Sequence, residues 1–193
     1  LHFVDPLVGH MARHILIMNL AAPALVLLAP ALRHPSFGRA LPAATLVQLA
    51  LLWGWHAPAA LSAAMHSPAL HLAMELSLLL AAIGFWAGVF APGRRAIGEV
   101  ALSLLATSKL FCLLGILLVF APRPLYSPMP GHGAAGTVAD ALAGQHLAGL
   151  LMLIACPVSY IGAAIGLAWR WLGERERIEG RAARPVVDGG AGG

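Results

Sequence analysis

Long apolar runs fill most of this chain, and the polar positions that interrupt them gather in a few places. A helix needs about 20 apolar residues to cross a hydrocarbon core. Runs of that length, separated by breaks rich in Pro, Gly or Arg, predict five transmembrane helices over about 6–32, 41–65, 69–90, 96–120 and 137–172. Asp5-Pro6 is a helix start, a capping carboxylate followed by proline at the first helical position. Pro23 and Pro30 are expected to bend the far end of the first helix. The expected fold is an all-α polytopic membrane bundle, a single domain over 1–172. A charged and then Gly-rich tail over 173–193 is expected to be disordered.

Charge sets an orientation. Arg33 and Arg39 lie between the first two predicted helices and Arg94 and Arg95 between the third and fourth, while Arg170, Arg175, Arg177, Arg181 and Arg184 mark the C-terminal end. Arg123 stands alone in the loop between the fourth and fifth. Basic connections stay on the cytoplasmic side, so the N-terminus is expected outside and the C-terminus in the cytoplasm. In that arrangement every histidine except His34, and every methionine, falls in the outer loops or outer halves of the helices. No basic stretch precedes the first run, so no cleavable signal peptide is expected.

Composition agrees with the membrane reading: of 193 residues 60% are hydrophobic and 10% charged, with a mean hydropathy of +0.82. The net charge of +4 resides mostly in the connections and tail, so topology accounts for it and nucleic acid is not an expected partner. Cys112 and Cys156 each fall inside a predicted span, where a disulfide framework has little use.

Chemistry concentrates at the outer ends. His10, His14 and Met18 recur every four residues and share one helix face, as do His71 and Glu75. His56, His146 and Met152 complete the candidate ligands, and Gln145, Gly149, Met152 and Cys156 form a further stripe. Imidazole and thioether donors together favour copper, especially Cu(I), while few carboxylates and thiols argue against magnesium, calcium and iron–sulfur clusters. A lone transmembrane histidine serves as an interhelical hydrogen-bonding partner as often as a ligand, and methionine fills space. The His10/His14 pair is harder to explain by packing alone. Glu75 and Lys109 each carry a penalty of about 3 kcal/mol near mid-membrane. They either pair with one another or tune ligands and relay protons, as Gln145 could also do. The alternatives are haem held axially by two histidines on facing helices, and a proton or ion transporter using Glu75 and Lys109. No phosphate loop, dinucleotide turn, nucleophile elbow or HExxH motif is present, so no catalytic turnover is expected.

Several short motifs carry a family resemblance: the His10, His14, Met18 run; Trp55-His56-Ala57-Pro58; His66-Ser67-Pro68-Ala69-Leu70-His71 with Glu75; Ala121-Pro122-Arg123-Pro124-Leu125-Tyr126; and the segment from Gln145 to Gly149. In this order, over about 10–172, they resemble the CtaG-type cytochrome c oxidase assembly proteins. The resemblance implies a bacterial inner-membrane metallochaperone or assembly factor that handles copper for the catalytic subunit of a haem–copper oxidase, or works with other assembly factors. The chain departs from that pattern at Leu76, where the pattern has His, and at Gly144 and His146, where it has an acidic residue and Gln. These changes imply ligands moved to the fifth helix, and longer members carry additional N-terminal spans. In the expected site His10, His14 and either His71 or His146 hold Cu(I), with Met18 or Met152 as a weak, exchangeable ligand.

Overall fold

The computed structural model describes residues 5–91, 97–126 and 137–182, which are helical nearly throughout and contain no strand. Pro6–Leu28, Pro68–Phe90, Ile97–Phe120 and Val138–Arg177 are long and apolar enough to cross a membrane, and the shorter apolar helix Leu41–Trp55 joins them. The polytopic bundle expected from the hydrophobic runs is therefore observed, with differences at the prolines.

The first span is α1 (Pro6–Leu16), a π-helical turn (Ile17–Ala21) and α2 (Ala22–Leu28). Asp5 caps it as expected, its Oδ1 accepting from the Leu7 and Val8 amides at 2.8 and 3.3 Å. In the wide turn the Ala22 amide reaches back to the Ile17 carbonyl. That leaves the Met18 carbonyl, its partner in an ordinary α-helix, without a helical donor. The Trp86 indole takes over, donating to it at 2.9 Å.

The span stops at Leu28, earlier than expected, because Pro30 has no amide proton and Ala29 before it is extended (φ −109°, ψ 92°). The connection is itself partly helical: α3 (Pro35–Arg39) begins at His34, whose Nδ1 accepts from the Ser36 amide at 3.3 Å. The continuous helix expected over 41–65 is broken into α4 (Leu41–Trp55) and α5 (Pro58–His66). Pro58 is the cause, since it holds Ala57 extended (φ −60°, ψ 133°) and places His56 at the end of α4.

α6 (Pro68–Phe90) starts at Ser67, whose hydroxyl accepts from the Leu70 amide at 3.4 Å. α7 (Ile97–Phe120) and α8 (Val138–Ala182) follow. With 45 residues α8 is about 68 Å long, over twice the hydrocarbon thickness of about 30 Å. It continues past Leu172, so the charged stretch taken as the start of the tail forms its last turns, with Arg175 lying 4.3 Å above the Trp171 ring.

α8 packs along α7 and against α1, while α6 packs on α2, α3, α4 and α5. The α7–α8 contact depends on glycine: a Cβ on Gly149 would stand 2.7 Å from the Gly115 carbonyl oxygen. At the centre Tyr160 stacks on Trp86 at 5.5 Å and meets Phe85 and Phe111 at 6.0 and 5.6 Å, tying α6, α7 and α8 together. Leucines and isoleucines such as Leu80, Leu102, Ile154 and Ile165 face outward, as lipid-facing residues do.

Candidate metal centre

Three histidines converge at the end of the bundle where α1 begins and α4 ends. His10 and His14 lie one turn apart on α1 with ring centroids 4.1 Å apart, and the break before Pro58 turns His56 toward them, 6.4 and 5.7 Å from their rings. One nitrogen from each of the three lies within 4.8 Å of the others. The three residues are only 3%, 4% and 4% exposed.

Hydrogen bonding separates their roles. His56 Nδ1 stands 2.7 Å from the Leu52 carbonyl, which can only accept, so Nδ1 carries the proton and Nε2 the lone pair. Its Nε2 has no hydrogen-bond partner, and neither nitrogen of His10 or His14 has one. Leaving a buried polar group unsatisfied costs about 1–3 kcal/mol. A metal ion relieves that cost at several nitrogens together. The Leu52 carbonyl behind His56 is also the kind of partner that orients a ligating imidazole.

The rim is charged. Arg13 donates to Glu75 Oε1 at 2.9 Å, and His71 Nε2 lies 3.1 Å from the same oxygen. His71's ring is 5.8 Å from that of His10, although it stands outside the three-histidine group. Lys109 is exposed on α7 and makes no ion pair among the described residues. The pairing of Glu75 with Lys109 considered from the sequence is thus replaced by Glu75 with Arg13 and His71. Lys109 follows the buried Thr107 and Ser108, and the helix turn carries it to the outer face.

Neither His146 nor Cys156 joins the three rings in that group. His146 is half-buried on α8 with its Nε2 unpartnered, and makes no ring contact with them among the described residues. Met18 and Met152 are buried in the core. Cys156, one turn beyond Met152, accepts from Asn19 at 3.8 Å, and both cysteines are free thiols. Gln145 is a clamp: its Oε1 accepts from the Leu125 amide at 2.7 Å and its Nε2 donates to the Leu118 carbonyl at 3.1 Å. The loop so held carries Tyr126, whose hydroxyl donates to the His56 carbonyl at 3.0 Å. Burial pushes the Tyr126 phenol up to about 12, so it remains a donor through neutral pH. At Gly144 any Cβ would run into the Asp5 carboxylate, so a side chain there would displace the cap of α1.

Sequence reasoning missed the brace from Tyr126 and the salt bridge of Arg13. The Pro-rich loop hinted at the first, since so constrained a segment holds a fixed path. It also missed a set of buried polar side chains in the bundle, Gln48, Thr107 and Tyr160.

Searches of curated proteins and of solved structures find no match. The family described as cytochrome c oxidase caa3 assembly factor (Caa3_CtaG) matches residues 7–174, a span that includes all three clustered histidines, the salt-bridged rim and the clamp at Gln145. Most of the chain is covered, and it belongs to the cytochrome c oxidase caa3 assembly factor family.

Proposed function

We propose that this assembly factor binds one copper ion through His10, His14 and His56 and delivers it to the catalytic subunit of the oxidase or to another assembly factor. The observation that carries the reading is the set of buried imidazole nitrogens without partners, gathered within 4.8 Å. Neutral imidazoles suit copper and zinc alike. The cost of burying an ion rises with the square of its charge, and no carboxylate belongs to the three-residue group, which favours monovalent copper over divalent zinc. Three neutral nitrogens hold Cu(I) while leaving a position at which a partner's donor can attack. Met18 or Met152 would supply a weak, exchangeable additional donor. Arginine placement supports a site on the outer side of the membrane, with the N-terminus outside and the C-terminus in the cytoplasm, and the family resemblance supports a bacterial plasma membrane as its location.

The test is metal content and the visible spectrum of protein purified in detergent from copper-supplemented cells, beside a His10→Ala/His14→Ala double variant. About one equivalent of copper, lost in the variant, is expected. A Soret band would replace copper with haem, and protein free of both metal and haem would leave the histidines as helix-packing residues.

A further inference from the structure

The three histidines are sealed from solvent, so an ion needs a way in, and the surface next to them offers one. A cavity of about 490 Å³ opens where α5 turns into α6, lined by Met65, His66, His71 and Glu75 among others. It contains a thioether and two imidazoles, donors that suit Cu(I). His66 Nδ1 stands 2.7 Å from the Ser62 carbonyl, so Nδ1 carries the proton and Nε2 is left as a donor to an ion. His71 lines this cavity and has its ring 5.8 Å from that of His10, bridging the open pocket and the buried site. Its Nε2 lies 3.1 Å from Glu75 Oε1 and 3.5 Å from Arg13 Nη1; the carboxylate can only accept, so the shorter contact assigns the proton to Nε2 and leaves the Nδ1 lone pair available. Arg13 at the same rim would repel a cation, and its 2.9 Å salt bridge to Glu75 offsets that charge.

We infer that the pocket between α5 and α6 is the loading port for Cu(I), with Met65 and His66 as the first donors and His71 as the residue that passes the ion to His10. The inference rests on the copper reading above and adds the route to it. Transfer is ligand exchange: a bond from copper to His10 forms as the bond to His71 breaks, with no change of oxidation state and no proton released. His71 therefore governs how fast copper arrives and leaves, while the three buried histidines govern how tightly it is held.

Stopped-flow transfer of Cu(I) from a coloured chelator to the full chain in detergent separates these quantities. The His71→Ala variant and a Met65→Leu/His66→Ala variant at the exposed turn are each expected to slow loading at least about tenfold. Loading and release slow together, so the final partition between protein and chelator remains within about twofold of wild type. Wild-type loading rates in both variants overturn the port. So does a partition that falls in step with the rate, which would make these residues equilibrium ligands. Wild-type protein that takes no Cu(I) removes the copper reading, and the port falls with it.

Discussion

Neither ring nitrogen of His14 has a hydrogen-bond partner, although the residue is only 4% exposed. A residue kept for stability would not be left in that state, whereas a residue kept for a ligand would. Replacement by leucine, similar in volume and free of polar atoms, is therefore expected to stabilise the metal-free protein by about 1–3 kcal/mol while abolishing copper binding. Thermal unfolding in detergent with a chelator present measures this, and a clear loss of stability in His14→Leu would mean that the imidazole packs or hydrogen-bonds in the apo state. At this scale the four-residue spacing made His10 and His14 legible, because helix periodicity alone puts them on one face. The place of His56 depends on which helix packs beside α1, a long-range fact the local pattern does not hold. His146 was singled out by type, yet its neighbour Gln145 takes the inward position, and one residue further rotates about 100° around the helix.

Among the elements, the two departures from straight helices bear on the site. The break between α4 and α5 ends a helix of 15 residues, about 22 Å long, so irregular backbone falls within reach of the hydrocarbon region. Such backbone is tolerated where the protein satisfies it. The His56 amide donates to Leu52 at 3.1 Å and its carbonyl accepts from Tyr126 at 3.0 Å. Pro58 was plain in the sequence, but the length needed to span a bilayer argued for running a helix through it. The π-helical turn in the first span was signalled locally only by Pro23, which follows it and cannot donate back into it, while the Trp86 indole that completes it comes from a distant helix. The close approach of α7 and α8 gives a test of the packing. Gly149→Ala would drive its methyl against the Gly115 carbonyl and Val119, and is expected to destabilise by about 1–3 kcal/mol. Gly162→Ala on the same helix meets no atom within 4 Å and should be neutral or slightly stabilising by melting temperature. Equal effects of the two would argue against tight packing at Gly149.

For the molecule as a whole, alternation of the spans explains why so many polar groups meet at one end. The start of α1, the end of α4, the start of α6 and the loop after α7 lie together, and they bring His10, His14, His56, His71 and Tyr126. The helical bundle was legible from hydropathy, although of the five expected spans four reach spanning length and the second is the shorter Leu41–Trp55; the gathering of His10, His14, His56 and His71 within one end required packing. Orientation is tested by single cysteines in a background lacking Cys112 and Cys156. A cysteine at Ser67 should react with a membrane-impermeant maleimide in intact cells and one at Ser36 should not, and the reverse pattern would place the histidines on the cytoplasmic side. The most direct measurement of the central claim is the copper X-ray absorption spectrum of the loaded protein beside His56→Ala. Three imidazole nitrogens around Cu(I), falling to two with weakened retention in the variant, is the predicted result. A copper environment unchanged by loss of His56, or one dominated by sulfur, would contradict a site built from His10, His14 and His56.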